Sequence, residues 1–392
     1  MRMIGMPKNF IGARPGRVYS WGGSASIQTA SGTVVTFPQS AERAFSGLSI
    51  YGHSTQDGTP SPDNPVPIVS AGDSGEINVA VSGKNLIPFP YLSPLGGAGT
   101  VYEVDGVTYT VQADGGIKCV GTPTSIFGPT LCKIRFSEES LNANNSESAT
   151  NGKVTLSGGP LYFDSNNNAT FIYWDNQIDT PVDMTIYPQV EYGTVATAYE
   201  PYKTPQTLTF STPDGLPGIP VTSGGNYTDE SGQQWICDEI DFQRGKYVQR
   251  VGKVELDGTE AFELVQGIES GQPFFILRNS INSGQSTLNG YSNYFPIVSI
   301  TIRGKEQGIG GWGTDLYLRW TELFSAVEDL KSFLSEKYTS GNPVRVSYIL
   351  ATPIETDLPA EEIASYKALH TYSPTTTVSN DAEAWMKVGY KE

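Results

Sequence analysis

Leu161-Tyr162-Phe163-Asp164-Ser165-Asn166-Asn167-Asn168-Ala169-Thr170-Phe171-Ile172-Tyr173-Trp174 reads as a strand, a polar tip and a second strand. Aromatic and β-branched residues on both sides favour a pleated, half-buried surface, and the Asp/Ser/Asn run between them turns readily and has nothing to bury. The same tip, with Asp175 at the twelfth position, has the outline of a calcium loop. Ala169 stands where that loop requires glycine, however, and its flanks read as strands rather than helices, so a hairpin is the reading the residues favour. Phe171 and Tyr173 share one strand face and Trp174 takes the other. One face must be core, so only part of this aromatic group is free to meet a ligand. Tyr173 and Trp174 are the candidate ligand-binding residues, since an aromatic face with a polar rim suits a sugar ring; packing is the competing role.

Outward from this hairpin, similar runs recur with Gly, Asn, Asp or Pro between them: Thr108 to Gln112, Ile117 to Val120, Leu131 to Phe136, Lys153 to Leu156 and Met184 to Tyr192. With the hairpin arms they suit one β-sandwich. Before it, Thr33 to Phe37, Leu48 to Tyr51 and Glu76 to Val81 read as strands, and Pro60, Pro62, Pro65 and Pro67 withhold the donors a central strand needs. After it, Thr207 to Phe210 and Ile219 to Val221 flank a Pro/Gly turn, and Asn226 to Ile240 has the look of a hairpin. The sandwich therefore reads as an insertion, residues 83–203, in a second β domain built from 36–82 and 204–392, with residues 1–35 as an N-terminal arm.

Two amphipathic helices are expected near the C-terminus. Leu323, Phe324, Val327, Leu330, Phe333 and Leu334 recur at helical spacing, and Ala360 to Leu369 follows Pro359 with Ile363, Tyr366 and Leu369 on one face. They read as covers for a sheet, with a partner-binding groove helix as the alternative. The expected fold is mainly β: a multidomain β-sandwich or jelly roll with a small α+β C-terminal part.

Three groups of residues carry a family resemblance. The tail combines Tyr348-Ile349-Leu350-Ala351-Thr352-Pro353-Ile354-Glu355-Thr356 with Ala360 to His370 and Thr375 to Met386. The second group is Thr55 to Ile68, and the third Gln189 to Tyr202. Together they resemble minor tail and baseplate-associated structural proteins of phages and prophages of Firmicutes-type hosts. In that family Gly83-Lys84-Asn85-Leu86-Ile87-Pro88 opens a jelly-roll module similar to carbohydrate-binding domains, and Tyr199-Glu200-Pro201-Tyr202 closes it. The resemblance implies a virion component of a tail, baseplate or tail fibre, assembled in the host cytoplasm. Its implied partners are other virion proteins, further copies of the same chain, and a host-surface glycan or protein. A head fibre or capsid decoration protein is the rival within the virion class, and a cell-wall glycan hydrolase the rival outside it.

Composition agrees with a turn-rich β protein: the 392 residues include 43 Gly, 26 Pro and 21 Tyr. The net charge of −16 is segregated. Residues 1–41 hold Arg2, Lys8, Arg14 and Arg17 with no acid, a charge of +4, which leaves −20 on the remainder. An acidic body repels nucleic acid, within the limit set by salt screening, so no nucleic-acid partner is expected. The basic segment reads either as a solvated leader or as an arm that anchors the protein on an acidic virion surface. Arg2, Lys8, Arg14, Arg17 and Trp21 are the candidate anchoring residues, with Phe10 and Tyr19 as further apolar pegs. No apolar run is long enough to span a membrane, and the N-terminus lacks the apolar stretch of a signal peptide.

Chemistry-bearing motifs are sparse. Cys119, Cys132 and Cys237 lack metal-ligand spacing and read as buried thiols, with a Cys119 to Cys132 bridge as the alternative. His53 and His370 have no local nucleophile or ligand signature. No catalytic residue, metal site or cofactor is expected, and the chain reads as a non-enzyme. Asp238, Glu239 and Asp241 form the densest acidic run, expected to be a solvated strand edge.

Overall fold

The computed structural model describes residues 18–20, 24–28, 35–38, 40–125, 127–134, 152–155, 161–166, 169–175, 178–192, 198–267, 271–300 and 305–391. The protein is mainly β, a multidomain β-sandwich with a small helical part. The runs read as strands from Thr108 onward coincide with strands, including the hairpin Leu161–Asn166 with Ala169–Asp175, except that Met184 to Tyr192 divides into Val182–Ile186 and Gln189–Tyr192, which join different sheets. Asp164, Ser165 and Asn166 of the calcium-like run lie in the first of these strands and pair with Phe171, Thr170 and Ala169.

Among the described residues the largest sheet has eight strands, and its middle is Trp385–Lys391, Phe45–Tyr51, Glu239–Asp241, Lys246–Leu256 and Val344–Asp357 in that order. A second sheet orders Gln206–Ser211, Glu76–Ser82, Thr375–Asn380 and Val35–Pro38. Ile50, Ile77, Val79, Phe210, Ile240 and Met386 from these two sheets form one buried core. The alternation in Glu76–Ser82 places Ile77, Val79 and Val81 on this core, as a half-buried strand requires. The N-terminal segment adds strands Val18–Ser20 and Ser24–Gln28, the latter pairing with Trp385–Lys391. These strands fall within the segment read as the arm, residues 1–35. Sheet addition needs only backbone donors and acceptors, so it left no apolar period to read.

Gln206–Ser211 pairs antiparallel with Glu76–Ser82, with Gln206 opposite Val81. The chain between them thus departs and returns on hydrogen-bonded neighbours. That segment has its own core of Ile87, Leu95, Val107, Tyr109, Ile117, Cys119 and Ile186. The same pattern recurs further on: Lys246–Leu256 pairs with Val344–Asp357, and residues between them close a further core around Phe275, Phe295, Ile309, Leu316, Phe324 and Leu334. The body, residues 36–82 with 204–392, therefore holds two large cores.

This long ribbon breaks once. Gln249 faces Ile354 and Val251 faces Ile349, so Arg250 stands opposite residues 350–353, where Pro353 has no N–H for a ladder. Asp238 caps the break: its Oδ1 accepts from the Arg250 and Val251 amides at 2.7 and 2.8 Å, and its Oδ2 accepts from the Tyr247 hydroxyl at 2.7 Å. Burial pushes the Asp238 carboxyl up to about 6, against the pull of those donors. Asp238 and Glu239 are buried, and Glu239 pairs with Arg250 at 2.9 Å. The expectation of a solvated acidic edge is thus corrected: the run enters the middle of a sheet, where amides and a guanidinium offset its charge.

Helix α1 (Val327–Thr339) buries Leu330 and Leu334 in the second large core, and α2 (Ala360–Ala368) places Tyr366 in the first. Both helices cover sheets. The predicted first helix begins later than its apolar spacing suggested. The Asp329 carboxylate accepts from the Ser325 and Ala326 amides, both at 3.0 Å, which fixes the start after Ala326 and leaves Leu323 exposed in the preceding turn.

Substitution of Asp238 by Ala leaves the Arg250 and Val251 amides and the Tyr247 hydroxyl without their acceptor. It should lower stability by about 2–3 kcal/mol, read as a shift in the urea midpoint of the full chain.

Candidate functional site

The two motifs read as opening and closing the module meet in space. Lys84 and Glu200 form a largely buried ion pair at 2.9 Å, and the Lys84 ammonium also donates to the Ala198 carbonyl. The Asn85 amide donates to the carbonyls of Pro188 and Glu200 at 3.0 and 3.1 Å, while its oxygen accepts from the Ile87 amide at 3.0 Å. Gln189 Oε1 accepts from the Glu200 amide at 2.8 Å, and Thr375 donates its hydroxyl to Glu200 Oε1 at 2.8 Å. Lys84, Asn85, Gln189 and Glu200 therefore clasp entry and exit, and Thr375 ties the clasp to the body sheet.

A second cluster surrounds His53. Its ring stacks on Trp385 with centroids 4.9 Å apart and meets the edge of Trp235 at 6.4 Å. Trp385 also stacks on Tyr227 at 4.5 Å, and Trp235 donates its indole N–H to Asp229 at 2.9 Å. The His53 Nδ1 atom is buried and has no hydrogen-bond partner among the described residues. Burial holds the imidazole below its ordinary value of 6.5. Beside it, Gly52 lets the backbone at Leu216 pass close, because a Cβ there would lie 1.9 Å from the Leu216 carbonyl oxygen.

Tyr173 and Trp174 are successive residues of Ala169–Asp175, the middle strand of a three-stranded sheet, where they face Tyr162 and Leu161 in register. Their side chains lie outside the described residues, as do Arg2, Lys8, Arg14, Arg17 and Trp21 entirely. His370 lies just beyond α2, and its amide donates to Gln206 at 3.0 Å, a link between the tail and the returning strand. Cys119 and Cys237 are buried free thiols, and burial pushes the Cys119 thiol up to about 12. Among the described residues no group of three or more His, Cys, Asp or Glu is arranged to hold a metal, and no helix is long and apolar enough to cross a membrane.

The His53 cluster was not legible beforehand, since Trp235 and Trp385 lie far apart in sequence. The clasp left a signal in the two motifs, but nothing local says that Lys84 faces Glu200. No protein-family model, curated protein or solved structure matches the chain.

Two outcomes follow from this geometry. Lys84→Met or Glu200→Gln strands the partner charge in a desolvated site and should cost about 3–5 kcal/mol, whereas the double variant Lys84→Met/Glu200→Leu should recover much of it. Thermal melts with limited proteolysis of the 83–203 segment read both. Because His53 takes up a proton less readily in the folded chain, its contribution to stability is complete above pH 6.5 and is lost as pH falls below that value. His53→Phe keeps the stack and should remove this part of the acid sensitivity, measured as the difference in melting temperature between pH 7 and pH 5.

Proposed function

We propose that the chain is a structural component of a phage virion, of the tail, baseplate or tail fibre, that presents its 83–203 module to the host surface. The observation that carries this reading is the mode of attachment. The segment departs and returns on neighbouring strands, has its own core, and is closed by a buried clasp, so it projects from the body without interrupting either body sheet. A binding module held this way suits a particle that carries many copies, where weak individual contacts add up through multivalency. The strongly acidic body favours a neutral glycan or a protein over an anionic polymer as the host ligand. The segregated basic charge of the first residues supports docking on an acidic virion partner.

Excision tests the reading. Residues 84–203 can be replaced by a two-residue Asn-Gly turn, because Gly83 and Thr204 fall opposite each other when the Val81–Gln206 register is continued. Beads coated with the full chain should adsorb to host cells, and beads coated with the folded, excised chain should not. Equal adsorption by both would overturn the assignment of host contact to this module. The anchoring role is tested by removing residues 1–17 alone, since a longer deletion would strip strands that pair with the last two strands of the chain. The shortened protein should fold and fail to join particles.

A further inference from the structure

A cleft of about 510 Å³ opens beside the break in the long ribbon. One wall is the edge strand Gly218–Val221 with the residues that follow it, and Gln233 and Ile236 from across the hairpin; the other is the turn at 285–289. Its floor is apolar. Val221 and Ile236 pack on Ile219, Val251 and Ile349, the small core at the point where the ribbon passes from one large core to the other.

The cleft has no charged residue in its lining, although the chain carries a net −16. Its polar side chains are the hydroxyls of Thr222, Ser223, Ser286 and Thr287 and the carboxamides of Gln233, Gln285 and Asn289. None of the four hydroxyls bonds to another group among the described residues, so each can donate and accept toward an occupant. The walls are braced before anything binds. Gln285 accepts from the Gly313 amide at 2.7 Å and from Asn289 at 3.0 Å, Leu288 is anchored in the second large core, and Gln233 donates to the Val221 carbonyl at 2.7 Å.

This chemistry selects among ligands. A cation or an anion finds no counter-charge in the lining. A peptide adding to the edge strand meets Pro220, which has no N–H to offer. A neutral, polyhydroxylated molecule finds paired donors and acceptors over an apolar floor, in a volume within the roughly 300–1,000 Å³ usual for small-ligand sites. We propose that the cleft between Thr222–Ser223 and Ser286–Thr287 binds a neutral oligosaccharide. Among the described residues, none of the 83–203 module lines the cleft.

The test uses the full-length protein and calorimetry with neutral hexose and N-acetylhexosamine tri- and tetrasaccharides, beside a sulfated trisaccharide and an extended Ser/Thr-rich peptide. At least one neutral oligosaccharide should bind, and the sulfated sugar and the peptide should not. Thr222→Ala/Ser286→Ala should weaken binding at least tenfold, and Ser286→Trp should abolish it, with the melting temperature unchanged because these side chains are exposed and their hydroxyls make no bond among the described residues. Thr287→Trp blocks the cleft from a separate position and gives a second reading if the first substitution disturbs the turn. No binding by any neutral sugar at millimolar concentration, binding that survives the blocking variants, or preferential binding of the peptide would each overturn the proposal.

Discussion

The capped break in the long ribbon is the constraint on which the body depends. A continuous antiparallel pair would keep one alternation of faces along its whole length. By shifting register between Gln249 and Val251, the pair sends Val254, Leu256, Val344 and Val346 into one core while Val251 and Ile349 seal the junction. Such a break exposes amides inside the protein, and buried amides without acceptors are costly. Asp238 accepts from two of them, and the displaced Arg250 turns back to Glu239. An acidic run near the centre of a sheet is thereby the condition for two cores to share one ribbon.

The two excursions from the body follow one rule. Each departs from a strand and returns on its antiparallel neighbour, so the ladder beneath needs no rearrangement to accommodate the chain above it. They differ in how the base is sealed. The first closes with the Lys84–Glu200 pair and the Asn85 and Gln189 carboxamides, and the second closes by hydrophobic packing around the ribbon with α1 as cover. A polar clasp gives directional hydrogen bonds and so fixes orientation, whereas an apolar base gives area without direction. The first excursion is accordingly the one read as a display module.

Legibility in the sequence followed the range of the interactions. Strands with near-alternation, such as Glu76–Ser82, were apparent because a half-buried pleat imposes a period of two. Helix α2 was apparent from Pro359 and its apolar face, whereas the start of α1 was misplaced because Asp329 overrides the spacing of Leu323 and Phe324. The pairing of Ser24–Gln28 with the last strand left no trace, since it is carried by backbone groups. The neutral cleft was equally silent: its walls come from two distant parts of the chain, each an ordinary polar turn by itself.

The amino-acid sequence by itself determined the mainly β class, the charge segregation and the two C-terminal helices. All of these rest on composition and on periods within a few residues of one another. The tertiary structure alone decided that Asp238 is buried rather than solvated, that Lys84 meets Glu200, that His53 lies against Trp385, and that the body holds two large cores. Those outcomes depend on which strands become neighbours. That choice is made by the burial of whole faces and the satisfaction of buried polar groups, and neither is written in any local stretch of chain.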